Sequence, residues 1–205
     1  NAVVGYAHSG WGLEPVSPTT NLPNYAMPKM DGIGANEFVV TVTQNLVDFY
    51  SAGDTPAPWE LNMWYHALNC GFTPRLSGET DYPCIFDERV GIARSYFKPE
   101  GPLSYDGYVA AIKKGRSYVS DGSSHIIDFS VNTLEAGTKD SKLYLKGKQT
   151  VKITAKVAAN LPAQQDPIGL AIAQSPLTEQ PYWNIERARI GTTRKIRVEL
   201  IVNGK

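Results

Sequence analysis

Histidine is scarce in this chain, three among 205 residues, so each imidazole can be weighed for its own chemistry. His8 closes the apolar run AVVGYAH and is followed by the small polar residues Ser9 and Gly10. An apolar run bounded in this way suits a short strand buried in a parallel sheet. Active sites of α/β folds collect at the C-terminal ends of such strands, which makes His8 a candidate metal ligand or catalytic residue. Glu79 and Asp81, in GETD, are two apart at the end of an expected strand and so point the same way. Two oxygen donors on one side suit a divalent cation. Zn²⁺, Mn²⁺ or Fe²⁺ accepts mixed imidazole and carboxylate, lowers the pKa of bound water and polarises the bond under attack. Hydrolysis is the chemistry that follows. The bland alternative is an acidic turn capped by its own backbone.

The remaining polar candidates carry less specific signals. His66, within ELNMWYHALNCGF, sits in a stretch rich in Trp and Leu, where a hydrogen-bonded packing histidine is the plain expectation. His125 follows DGSS and suits a surface or interdomain position. Asp48 in LVDFYSAG and Arg94 in GIARSYF interrupt apolar strands; each either faces a pocket or forms a structural salt bridge. Cys70 and Cys84 form one disulfide or remain two thiols, since spacing alone does not choose, and they lack a C-x-x-C pattern. Nothing matches a P-loop, a dinucleotide glycine fingerprint or a nucleophile elbow. GRSYVSDG lacks the G-x-S-x-G spacing and Ser120 has no identifiable base, which disfavours covalent serine catalysis.

The elements that must position these groups follow from pattern. Residues 9–30 hold four prolines and no periodicity, so a long irregular loop is expected there. EFVVTV and NLVDFYSAG are apolar and β-branched. A helix is expected from about Pro58, a first-turn residue, to Asn69, with Cys70-Gly71 as its stop. LSGETD and VGIARSYF read as strands. Ser104 caps a helix over YDGYVAAIKKG, whose Tyr108, Ala111 and Ile112 share a face and whose Gly115 is a suitable C′ residue. SYVSDG closes the series as a strand. Strands and helices in alternation imply an α/β layout with mainly parallel pairing.

Charge changes sign along the chain. Residues 1–125 carry 13 acidic and 8 basic side chains, and residues 126–205 carry 7 and 12. The pattern changes near the same place, because IIDFSVN, KLYLKG, QTVKITAKVAA and RKIRVELIVNG show period-two alternation. A domain boundary is therefore expected near residue 125, with an α/β domain over 1–125 and an Ig-like antiparallel β-sandwich over 126–205. Val151, Ile153, Ala155 and Val157 would face its core, as would Ile196, Val198 and Leu200. Lys142, Lys146, Lys148, Lys152 and Lys156 read as solvated outer-face residues that protect sheet edges. Twenty basic against twenty acidic residues leave no strong positive field, which argues against nucleic acid as a partner. No apolar run approaches the ~18 residues of a membrane span. The chain starts without Met and stops at VELIVNGK, in mid-pattern, so it reads as a piece of a longer protein.

The succession VVGYAHSGWGL, NLVDFYSAG, WYHALNCGF, SGETDYP, VGIARSYF, a short helix, KKGRSYVSDG and IIDFSVN resembles the C-terminal half of CehA/McbA-like metallohydrolases of the PHP (polymerase and histidinol phosphatase) superfamily. The similarity covers most of the first 132 residues, and RARIGTTRKIRVELIVNG looks like the family's appended β-domain. The resemblance implies a partial, distorted β/α barrel with up to three divalent metals at its strand ends, hydrolysing phosphoester, carbamate or related ester bonds. By resemblance His8 matches a lone mid-domain histidine ligand and Asp81 the aspartate of a late D-x-H motif. The late motif here reads DYP, with Pro83 where a ligand histidine would stand, and the early H-x-H pair has no counterpart. Fewer metals, substitution by Glu79, or lost activity would each account for that.

The expected function is thus part of a metal-dependent hydrolase. His8 and Asp81 would bind Zn, Mn or Fe in a site this chain only partly supplies, with Glu79 as accessory ligand or general base. Arg94 would contact the substrate anion or developing negative charge. The partners implied are an ester substrate and the N-terminal half of the barrel. The rival expectation is a non-catalytic binding or scaffolding module in which Trp11, Tyr25 and Tyr82 supply stacking surface.

Overall fold

A computed structural model describes residues 1–8, 10, 23, 37–53, 55, 57–84, 90–176 and 184–203. Its elements in chain order are β1 (Gly5–Tyr6), α1 (Phe38–Thr41), β2 (Phe49–Ala52), α2 (Ala57–Asn69), β3 (Arg75–Gly78), β4 (Arg94–Phe97), α3 (Tyr105–Lys114), β5 (Ser117–Ser120), β6 (Ser124–Val131), β7 (Leu134–Glu135), β8 (Ile153–Ala159) and α4 (Pro167–Gln174). Helices and sheets are mixed, as the alternating pattern implies. Of the expected long loop over 9–30, only Gly10 and Pro23 are among the described residues.

Three strands pair in parallel in the order β1-β2-β3, with Gly5 opposite Phe49 and Tyr50 opposite Leu76. Parallel strands need a crossover, and α2 supplies the one between β2 and β3. The core beside this sheet is Phe38, Val42, Tyr50, Met63 and Ala67, with Tyr6, Trp64 and Leu76 packed at its margin. Phe38 and Tyr50 are both 0% exposed, and their ring centroids lie 4.7 Å apart. That burial explains why the β-branched run EFVVTV forms a helical turn rather than a strand. Helical geometry drives Phe38 into the core, and tertiary packing outweighs a weak local preference.

β4 and β5 pair antiparallel, Arg94 opposite Ser120 and Phe97 opposite Ser117, so the expectation of mainly parallel pairing holds only for the first sheet. Between them, α3 begins and ends as its sequence suggests. The Ser104 hydroxyl accepts the Gly107 N–H at 3.0 Å, and Gly115 takes a left-handed conformation at φ 73°. Val109, Ala111 and Ile112 form its buried face. β3 lies directly against the start of β4. The Gly78 N–H donates to Ser95 Oγ at 2.9 Å, and a Cβ at Gly78 would stand 2.6 Å from the Arg94 backbone nitrogen.

Residues 124–159 form one antiparallel sheet, ordered β7-β6-β8, with an irregularity between Ile126 and Asp128. The charge reversal at His125 therefore falls inside β6. Every residue of β8 is exposed, including Ile153 at 38% and Val157 at 43%. The period-two alternation does not correspond here to one wet and one dry face, because no second layer covers this strand among the described residues. KLYLKG and KIRVELIV carry no strand, and Val198 and Leu200 are exposed. A helix not expected from the alternation, α4, starts at Pro167, where the Asp166 carboxylate accepts the Gly169 N–H at 2.7 Å. The five lysines from Lys142 to Lys156 are all exposed.

Candidate functional site

The three parallel strands end side by side, so the residues that follow them share one edge of the sheet. His8 stands two residues beyond β1, Gly53 and Thr55 follow β2, and Glu79 and Asp81 follow β3. The ladder runs on past the strands, with the Glu79 N–H donating to Ala52 O at 2.9 Å. The His8 N–H donates to Glu79 Oε1 at 2.9 Å, and His8 Nδ1 lies 3.9 Å from Asp81 Oδ2. Both side chains are partly open to solvent, 46% for His8 and 34% for Asp81. Sequence order separates them by more than seventy residues; parallel register brings them together.

Both residues hold a left-handed backbone, His8 at φ 51° and Asp81 at φ 50°. Seven other described residues with a Cβ hold that region as well, and His and Asp adopt it more readily than most. Behind them lies a buried acidic residue. Glu60, 1% exposed in the first turn of α2, accepts the Thr55 hydroxyl at 2.7 Å and the N–H groups of Gly53 and Thr55. The Thr55 hydroxyl in turn accepts the Gly10 N–H at 3.1 Å. Glu60 thus ties the chain after β2 to the chain after β1. Gly53, at φ 114°, is where β2 turns off; a Cβ there would lie 2.8 Å from Glu79 O.

A metal ion would set its own spacing on these donors. Bonds of about 2.1 Å to nitrogen and oxygen at a tetrahedral angle separate two donors by about 3.4 Å. His8 Nδ1 and Asp81 Oδ2 would close by roughly half an ångström to meet that span. Glu79 directs Oε1 at the His8 backbone. Among the described residues, no group of three or more His, Cys, Asp or Glu side chains is arranged to hold a metal. The fit is therefore to two side-chain donors, with Glu79 positioning the backbone of one of them.

The other candidates lie elsewhere. The Arg94 guanidinium bonds Tyr96 Oη at 3.5 Å and borders Gly91 and Gly122, which turns it toward the β5–β6 corner. Asp48 accepts the Val4 N–H at 3.0 Å and pairs with Lys113 at 3.6 Å. His66 Nε2 lies 3.6 Å from Cys70 Sγ, and Cys70 and Cys84 are free thiols on the surface. His125 Nδ1 is 2.7 Å from Tyr118 Oη, and its ring meets Tyr96 edge-on at 4.9 Å. Ser120 Oγ donates to Ser124 O at 2.6 Å and has Glu186 at 3.2 Å. Tyr82 is 51% exposed, whereas Trp11 and Tyr25 lie outside the described residues.

Glu186 is a charged group that pattern reasoning did not single out. It reaches from the 3-10 turn Ile185–Arg187 into the β5–β6 corner, accepting N–H bonds from Asp121 at 3.0 Å and Ser124 at 2.6 Å. Burial, and then the neighbouring Asp121 carboxyl, push its pKa upward. Burial also raises the Tyr118 phenol, with Tyr96 and Glu186 adding to it.

Two surface cavities flank other elements: one of about 200 Å³ between Phe97–Gly101 and α3, and one of about 340 Å³ where Trp64, Tyr65 and Leu68 of α2 meet Ile201. No helix among the described residues is long and apolar enough to cross a membrane. Comparison with family models, with curated proteins and with solved structures finds no match to this chain.

Proposed function

We propose that this chain is part of a metal-dependent hydrolase of the PHP type, acting on phosphoester, carbamate or related ester bonds. The observation that carries the reading is the meeting of His8 and Asp81 at the ends of β1 and β3, 3.9 Å apart. The resemblance described above supports it, and in this proposal β1-β2-β3 belongs to a partial barrel. The same reading makes β6, β7 and β8 the start of an appended sandwich. His8 Nδ1 and Asp81 Oδ2 would hold the dication, and remaining donors would come from the N-terminal half of the barrel. A bound dication lowers the pKa of its water and polarises the bond attacked.

This chain's own groups have definable tasks. The Glu79 carboxylate accepts the His8 N–H and so fixes the backbone that aims the imidazole. Asp81, within electrostatic reach of Nδ1, favours the imidazole orientation that directs Nδ1 toward the carboxylate. Glu60 holds the turns after β1 and β2 at a fixed spacing through Thr55. Arg94 would meet a substrate anion only by leaving Tyr96, and we assign it no catalytic role.

Thermal unfolding with added Mn²⁺ tests the proposal. Binding at a hundred times Kd stabilises by about 2.7 kcal/mol, or roughly 5–10 °C in a chain of this size. The shift should appear in the wild-type chain and disappear in His8→Ala and in Asp81→Asn. No shift in the wild type would favour the binding-module reading, for which the exposed Tyr82 supplies stacking surface.

A further inference from the structure

We infer that His66 and Cys70 form a second, separate metal site, a two-donor chelate for a borderline or soft dication such as Zn²⁺ at the C-terminal end of α2. The two residues are four apart, so the helix sets them on one face one turn from each other. Cys70 Sγ and His66 Nε2 stand 3.6 Å apart. A tetrahedral ion bonded at about 2.3 Å to a thiolate and about 2.1 Å to an imidazole separates those atoms by about 3.6 Å. The side chains already hold the spacing that chelation requires.

Three features of the position favour a cation. Thiolate with imidazole is a donor pair that selects Zn²⁺ or softer ions over Mg²⁺ or Ca²⁺. The helix ends here, with the Cys70 N–H on His66 O at 3.0 Å and the Gly71 N–H on Leu68 O at 3.0 Å, and the C-terminal end of a helix attracts positive charge. Gly71, at φ 89°, turns the chain away, and a Cβ placed there would meet nothing within 4 Å. Cys70 is exposed, so solvent water reaches the pair to complete four-coordination. No third His, Cys, Asp or Glu joins the pair among the described residues. On binding, the ion replaces the thiol proton, which leaves to solvent, and accepts one lone pair each from sulfur and Nε2. Nothing is oxidised or reduced.

Cd²⁺ titration of the Cys84→Ser chain reads this site alone, because thiolate-to-metal charge transfer in the ultraviolet comes only from sulfur and Cys70 is then the only thiol. A saturable band at one equivalent per chain, displaced by Zn²⁺, is expected. His66→Ala should weaken binding about tenfold, Cys70→Ser should abolish the band, and His8→Ala should leave it unchanged. Circular dichroism of each metal-free variant should match the parent, since Cys70 is exposed and His66 half-buried. Absence of the band in Cys84→Ser, undiminished affinity in His66→Ala, or loss of the band in His8→Ala would each overturn the inference.

Discussion

A left-handed backbone at a residue with a Cβ costs about 1–2 kcal/mol, and His8 carries that strain at φ 51°. Glycine would relieve it, less part of the gain through its greater unfolded-state freedom. His8→Gly is therefore expected to raise the stability of the metal-free chain by about 0.5–1 kcal/mol, roughly 2 °C in melting temperature, while removing Mn²⁺ binding. A fall in melting temperature would show that the imidazole is held for stability instead. Glu186 makes a second prediction at this scale. Its pKa is raised in the folded chain above the ordinary 4.5, chiefly by burial and then by Asp121. Its contribution is thus full below pH 4.5 and lost as pH rises through the raised folded value. Urea unfolding should show wild type losing stability over that interval relative to Glu186→Gln, which keeps an acceptor oxygen without the charge. Parallel curves would contradict it. The two residues differ in how they could be found. His8 and the pair Glu79 and Asp81 are readable as strand-end residues, whereas Glu186 acts on Asp121 from 65 positions away, and no local pattern encodes such a contact.

Elements whose signals are local were legible, and those decided by packing were not. α2 and α3 carry Pro58, Ser104 and Gly115 at positions where missing donors, side-chain acceptors and positive φ are needed. α4 carries equally good signals, Asp166 and Pro167 ahead of an apolar run, but alternation in the flanking segments favours a β reading of the whole region. EFVVTV misleads for the opposite reason, since its β-branched residues conceal a helical turn that exists to bury Phe38. Phe38→Ala should cost about 3–5 kcal/mol, lowering the denaturation midpoint far more than Val40→Ala, which truncates a side chain 54% exposed. Similar losses at the two positions would mean that the Phe38–Tyr50 contact does not anchor the sheet. Ser104→Ala should cost about 1 kcal/mol through the lost cap.

Across the molecule, alternation reveals that a strand face seeks cover without revealing what covers it. β8 alternates as a sandwich strand would, yet its residues are all exposed, and among the described residues the clustered hydrophobic core lies in the α/β region. The candidate site is likewise partial, with two side-chain donors, His8 and Asp81, and a second carboxylate, Glu79, committed to the His8 backbone. The chain by itself should therefore turn over a nitrophenyl phosphate or carbamate ester only slowly, and robust hydrolysis by these 205 residues would show that the donor set is complete as it stands. The most direct measurement is pulsed electron paramagnetic resonance on the Mn²⁺-loaded chain, which detects a directly bound imidazole nitrogen. Nitrogen coupling from one histidine is expected in the wild type, absent in His8→Ala and retained in His66→Ala. Coupling that survives His8→Ala, or none in the wild type, would contradict metal binding through His8.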